Sequence, residues 1–308
     1  MSQSNPETFI AQAERPGDFD AFWDSVLAQV EAMPLNAQVE VVPLRSTPEV
    51  EVYEVHYDSL DGVRIAAWYC LPAQRQGPLP AIVQVPGYIG EPGIPVDWAR
   101  AGYAALGVAP RGKLRSNGQF NPGYPGLLTH NIVDRHTYGY RGFYIDAVRA
   151  FDWLTDRDEV DRARVGVSGS SQGGGLTLAV AALRPQVRAA SVGAPYLCGF
   201  MDAIELTDTY PYQEISDYLR FYPERRDAVQ QTLEYFDGLH FAPKISCPII
   251  VNLGLQDNIC PPETGYALFR ELGANDKQLY TYDQCGHDAG GAQHQPVIAE
   301  FFARQLKS

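Results

Sequence analysis

Cysteine is scarce in this chain and arranged so that it can neither staple nor chelate. The five residues Cys70, Cys198, Cys247, Cys260 and Cys285 are odd in number, dispersed, and free of any Cys-x-x-Cys spacing. That excludes a disulfide framework, argues against a zinc site and fits a reducing compartment, so a cytoplasmic protein is expected. Basic residues are also in deficit: 24 Lys and Arg stand against 37 Asp and Glu, a net charge of −13. A surface of that sign argues against nucleic acid or an anionic membrane as partner, since both need a basic face. No apolar run approaches the length of a membrane span. The first residues, Met1-Ser2-Gln3-Ser4-Asn5-Pro6-Glu7, are polar and acidic and lack the basic and apolar blocks of a secretory leader. Interdomain linkers, internal repeats and low-complexity segments are absent too. What remains is an ordinary globular composition, 45% apolar and 20% charged, in 308 residues. That is ample for a substantial core in one α/β domain spanning 1–308.

The most informative stretch is Val165-Gly166-Val167-Ser168-Gly169-Ser170-Ser171-Gln172-Gly173-Gly174-Gly175. It reads as a buried strand, a Gly-x-Ser-x-Gly turn, and a helix opening at Leu176. A serine hydroxyl is a poor nucleophile unless it is held clear of its neighbours and offered to a base. A sharp strand-to-helix turn does this, with glycines where side chains would collide. Ser168 and Ser170 are rivals, but only Ser171 has glycine two positions away on both sides. The turn also sets Ser171 at a helix N-terminus, which favours developing negative charge.

Around this turn the chain alternates strand and helix. An amphipathic helix is predicted over 19–30, with Phe19, Phe22, Trp23, Val26, Leu27 and Val30 on one face. Strands over 50–58 and 63–71 flank Leu60-Asp61-Gly62, an antiparallel hairpin signal. Further strands are expected at 81–85, 104–108, 165–168, 189–192, 249–253 and 278–282. Helices are expected at 146–154, 176–183 and 263–272. Continuous apolar runs in several strands suit a mostly parallel sheet covered by helices on both faces. Two stretches break the alternation: a glycine- and tyrosine-rich loop over 113–141, and a helical insertion over about 197–241.

A serine nucleophile needs a base and a carboxylate to orient it, and in such sheets they follow in the order serine, acid, histidine. Of six histidines only His240, His287 and His294 follow Ser171, and His287 alone sits in a glycine-bearing loop directly after the last strand. The strand 249–253 runs into Gly254-Leu255-Gln256-Asp257, which sets Asp257 at its carboxyl edge; Asp276 and Asp283 end no buried strand in this way. The oxyanion of a tetrahedral intermediate needs two backbone N–H groups. One is expected from Gln172, next to the nucleophile, and one from Tyr88 in Pro86-Gly87-Tyr88, after the strand 81–85. These residues point to a serine hydrolase. A peptidase or another small-ester carboxylesterase would use the same set, and a binding protein that had lost catalysis would not need it.

With these residues in place, the chain resembles the acetyl xylan esterase / cephalosporin C deacetylase family, carbohydrate esterase family 7 of the α/β-hydrolase superfamily. The resemblance runs from the 19–23 segment to the C-terminus. Gly169-Ser170-Ser171-Gln172-Gly173-Gly174 and Asp257-Asn258-Ile259-Cys260-Pro261-Pro262 carry it, with Tyr138-Gly139-Tyr140-Arg141 and Ala194-Pro195-Tyr196-Leu197. It implies an α/β-hydrolase fold, removal of acetyl groups from xylo-oligosaccharides and small esters such as cephalosporin C, no metal or cofactor, and a homo-oligomer, commonly a hexamer. It implies Ser171 as nucleophile, Asp257 as orienter, His287 as base, and Tyr88 and Gln172 as oxyanion donors. Two departures stand out: Arg111-Gly112-Lys113 where the family has Arg-Gly-Gln, and His287-Asp288 where it has His-Glu. The family's Arg and Glu support the site, so the resemblance predicts an ion pair between Arg111 and Asp288.

Overall fold

The structure is a computed structural model and describes residues 5–307. Of the segment searched for a leader, Met1 to Ser4 lie outside the described residues. A single nine-stranded sheet organises the chain: β1 (Gln38–Val41), β2 (Val50–Asp58), β3 (Arg64–Pro72), β4 (Leu79–Val85), β5 (Ala104–Ala109), β6 (Val160–Ser170), β7 (Ala189–Gly193), β8 (Ile249–Gly254) and β9 (Lys277–Tyr282). Their order across the sheet is β1-β2-β3-β5-β4-β6-β7-β8-β9. β1, β2, β3 and β5 pair antiparallel, and every pair from β5 to β9 is parallel. The expected hairpin is the β2–β3 pair, closed by a turn of 3-10 helix at Leu60–Gly62. β1 was not foreseen. All four of its residues are exposed, so it has no buried face to imprint an alternation on the sequence.

Ten helices are described: α1 (Phe19–Glu31), α2 (Val96–Arg100), α3 (Gly139–Thr155), α4 (Gln172–Leu183), α5 (Phe200–Leu206), α6 (Gln213–Phe221), α7 (Arg226–Leu233), α8 (Gly238–Phe241), α9 (Pro262–Glu271) and α10 (Gly291–Leu306). One face of the sheet is covered by α3 and α4, with α1 behind them; Trp23 of α1 stacks on Tyr144 of α3 with ring centroids 5.6 Å apart. On the other face α2 and α10 meet through Trp98 and Phe302, edge to face at 5.6 Å. Such aromatic pairs add to the apolar burial that dominates the core. The four helices α5 to α8 are the insertion, in the chain between β7 and β8.

Helix boundaries differ from expectation where glycine misleads. α3 begins at Gly139, seven residues before the apolar periodicity suggested, because Gly139 and Gly142 read as loop residues. A Cβ at Gly142 would lie 2.0 Å from the guanidinium carbon of Arg111, so this glycine is set by packing. α4 likewise opens at Gln172 and carries three glycines in its first turn.

Candidate active site

Ser171 connects β6 to α4 with φ 58° and ψ −124°, a conformation that a residue with a side chain rarely adopts. Its surroundings impose it. A Cβ at Gly169 would lie 2.4 Å from the Gly173 carbonyl oxygen, and one at Gly173 would lie 2.2 Å from the Val85 carbonyl oxygen. The turn is therefore as tight as its glycines permit, and it draws the start of α4 against the end of β4. The Ser171 N–H donates to Gly193 at 2.9 Å, while its carbonyl accepts from Gly175 and Tyr196, each at 3.2 Å.

Asp257 follows β8, and its carboxylate is almost fully buried. One oxygen accepts the N–H groups of Ile259 and Cys260 at 2.8 and 2.9 Å. The other lies 2.9 Å from Nδ1 of His287, whose side chain is 29% exposed. A carboxylate at Nδ1 fixes the proton there and leaves Nε2 as the free acceptor. Cys260, quoted in the sequence motif without a role, is part of this cluster. Its thiol lies beside the Ser171 side chain, and burial holds its pKa well above the ordinary thiol range. The nearest ligand-type atoms of Asp257, Cys260 and His287 all lie within 4.8 Å of one another. Cys260 thus lies beside Ser171 on one hand and the Asp257–His287 pair on the other.

That group is also the candidate metal site among the described residues, a possibility the linear cysteine spacing conceals. Its donors suit a metal poorly. Both Asp257 oxygens are already engaged, and the buried Cys260 thiol resists the deprotonation that metal binding requires.

The start of α4 and the loop after β4 converge beside Ser171. No acceptor among the described residues faces the main-chain N–H of Tyr88 or of Gln172. Both residues are anchored through their side chains. The Tyr140 hydroxyl donates to Oε1 of Gln172 at 2.8 Å. The Tyr88 hydroxyl donates to Oε1 of Glu214 at 2.6 Å, and Oε2 of Glu214 accepts from the N–H groups of Gly126 and Leu128 at 2.7 and 3.2 Å. Burial raises the Glu214 carboxyl above its ordinary range. Glu214 lies in α6, so the insertion reaches the loop of Tyr88. Nothing in the linear sequence pairs the two residues, which are 126 positions apart.

The other residues weighed lie elsewhere. His240 is buried against Glu234 at 2.7 Å, and His294 is in α10 with Nδ1 2.8 Å from the Tyr282 hydroxyl. Asp276 accepts from Gln305, and Asp283 is exposed on the chain after β9. Ser168 and Ser170 line a cavity of about 310 Å³ on the face of α2 and α10, with Trp98, His294 and Asp288.

The expected Arg111–Asp288 pair does not form, because the two residues serve opposite faces of the sheet. Arg111 turns toward α3, where Asp146 accepts its Nε, its Nη2 and its main-chain N–H, each at 2.9 Å. Both partners are buried. Nη2 also donates to the Leu60 carbonyl at 2.9 Å, and Ser59 donates to Asp146 at 2.5 Å. Asp288 is exposed beside the start of α10 on the other face. Asp146 is the first residue of the helix expected over 146–154 and lies within α3.

Known proteins match this chain in sequence and in fold along nearly its whole length. The acetyl xylan esterase (AXE1) family profile matches residues 1–305. An acetyl xylan esterase from Paenibacillus sp. R4 superposes with a TM-score of 0.91 at 35% identity, over 99% of this chain and 100% of its own. Acetyl xylan esterase 1 from Thermoanaerobacterium sp. JW/SL YS485 gives 0.90 at 28% identity, over 100% and 99%. The acetyl esterase Axe7A of Xylanibacter ruminicola is 28% identical over 295 residues, covering 90% of this chain, which spans 65% of that relative's length. The chain belongs to the acetyl xylan esterase family of α/β-hydrolase esterases.

Proposed function

We propose that the protein is a serine esterase that transfers an acetyl group from an acetylated carbohydrate hydroxyl to water. The observation that carries the reading is the Asp257–His287 pair, which leaves Nε2 as acceptor, gathered with a strained Ser171 at the start of α4. Ser171 Oγ attacks the acetyl carbonyl as Nε2 of His287 takes its proton. The oxyanion forms against the N–H groups of Tyr88 and Gln172, each worth about 3–4 kcal/mol of barrier lowering. Collapse expels the sugar oxygen, which takes the proton from Nε2 of His287 and leaves as the hydroxyl. Water then attacks the acetyl-enzyme by the same route, releases acetate and restores Ser171. No metal or cofactor enters these steps.

A carbohydrate on the alcohol side is supported by a run of rings leading outward. Tyr88 meets Tyr124 edge-on at 5.4 Å, and Tyr124 meets Tyr210 at 6.2 Å. The outer two are 49% and 37% exposed. The negative face of such a ring suits the C–H edge of a pyranose. We further propose a cytoplasmic location, supported by five free cysteines, and a homo-oligomer, for which the family resemblance speaks. Turnover of acetylated xylo-oligosaccharides against esters of rising acyl length tests the reading. Acetyl is expected to be preferred, each extra methylene in a closed acyl site being worth about 1–3 kcal/mol. A rate that rises with chain length, or cleavage of peptides in preference to esters, would overturn it.

A further inference from the structure

The residue at which this chain departs from its family's Arg-Gly-Gln motif is Lys113, and its surroundings are unusual for an ammonium. The residue is 3% exposed, and among the described residues no carboxylate lies within ion-pair distance of Nζ. Its partners are main-chain carbonyls instead: Nζ donates to Gly87 O at 2.6 Å and, by a shorter contact, to Tyr88 O. These carbonyls belong to the loop that carries one of the two free N–H groups beside Ser171.

The Gly87–Tyr88 peptide is trans, so its C=O and its N–H lie in one plane and point in opposite directions within it. With Gly87 O bound to Lys113, the Tyr88 N–H must point away from the ammonium, and no acceptor among the described residues meets it there. A positive charge on the carbonyl also draws electron density from nitrogen, making that N–H a stronger donor, as in any chain of polarised hydrogen bonds. We propose that Lys113 is the positioning residue of the oxyanion site, fixing the direction of the Tyr88 N–H and strengthening it toward the tetrahedral intermediate. The inference rests on the esterase reading above and deepens it.

The turn that presents Lys113 is rigid. Its N–H bonds Pro110 O at 3.1 Å, its carbonyl accepts from Ser116 at 2.7 Å, and Gly112 takes φ +79° against Leu127, Phe120 and Phe143. Two residues upstream, Arg111 is locked onto Asp146. The Arg111 pair therefore supports the site through Lys113 rather than through the His287 loop.

The charge on Lys113 is poised to titrate. Burial pulls its pKa down to about 8, and Glu91 in the loop of Tyr88 opposes the shift. The other ionisable groups around it are engaged elsewhere: Arg111 with Asp146, Arg115 with Glu54, and the Tyr88 phenol with Glu214. A neutral lysine still donates N–H but no longer polarises the peptide. The sign is therefore a gain of catalysis below about pH 8 that is lost above it.

The test compares wild type, Lys113→Gln and Lys113→Met in kcat and KM for p-nitrophenyl acetate across the neutral and alkaline range. Lys113→Gln keeps a donor without charge; its kcat at neutral pH is expected to fall about tenfold with KM unchanged, a fraction of the roughly 10²–10³ lost with a whole oxyanion donor. Wild-type kcat should fall through about pH 8 to a plateau near that of Lys113→Gln, which itself shows no such step. Lys113→Met should fall further, toward the loss of a whole donor. Variants that retain wild-type kcat and its alkaline step, or that change only KM, would overturn the proposal in an enzyme that still turns over. Absence of turnover by wild type would instead overturn the esterase reading and the proposal with it. Should Lys113→Met lack the wild-type circular dichroism spectrum, Lys113→Gln alone decides.

Discussion

Breaking the Arg111–Asp146 pair should destabilise the protein far more than removing any exposed ion pair on its surface. Asp146 has no exposed side-chain surface and accepts three N–H groups from Arg111 and the hydroxyl of Ser59. Burial alone would lower the pKa of Arg111, but the Asp146 charge more than offsets this and raises it, so the guanidinium stays charged. Arg111→Met leaves a buried carboxylate with only the main-chain N–H and Ser59 as partners. Asp146→Leu leaves a buried guanidinium with the Leu60 carbonyl and a distant, largely exposed Asp61 at 3.7 Å. Stranding either charge is worth about 3–5 kcal/mol. For a chain of this length about 4 kcal/mol lowers Tm by about 6 °C. The double variant removes both charges, so it should lose much less than the sum, with a coupling energy of at least about 2 kcal/mol. Denaturant and thermal unfolding of the four proteins measure the cycle. Single variants within about 1 kcal/mol of wild type and no coupling, as for an exposed pair, would refute the reasoning.

Gly173→Ala should lower kcat by about a hundredfold or more, because its Cβ would lie 2.2 Å from the Val85 carbonyl and force the Gln172 and Tyr88 N–H groups apart. Gly118→Ala, where a Cβ meets nothing within 4 Å, is the control expected to leave kcat unchanged. Asp257→Asn should lower kcat by about 10⁴ with the fold retained, since an amide no longer fixes the His287 proton at Nδ1; a change under tenfold would remove Asp257 from the mechanism. Dialysis against EDTA should leave turnover unchanged, because Asp257 and Cys260 are poor ligands as held here; loss restored by zinc would contradict this.

How legible the protein was depends on the range of the interaction involved. β5, β7 and β8 announced themselves as largely apolar runs, since each is buried along its whole length. The Ser171 turn was legible because collision with Gly173 O and Val85 O allows only glycine at positions 169 and 173. Asp257 and His287 followed from strand order, and the structure brings them together at 2.9 Å. What sequence reasoning missed is long-range and unperiodic. Glu214 reaches Tyr88 from the insertion, and Asp146 captures Arg111 from within a buried helix. The predicted Arg111–Asp288 pair failed because sequence adjacency to the site says nothing about which face of a sheet a side chain serves. Cys260 stood in a quoted motif, yet only its contact with Ser171 gives it a place in the site.

The central claim is that Ser171 is the acetyl-accepting nucleophile. Rapid mixing with p-nitrophenyl acetate, acid quenching and peptide mass spectrometry would test it most directly. The account predicts one acetyl group per chain on the peptide bearing Ser171, localised by fragmentation to that residue and absent in Ser171→Ala. Acetyl found on Ser170 or Cys260, or full turnover by Ser171→Ala, would contradict it.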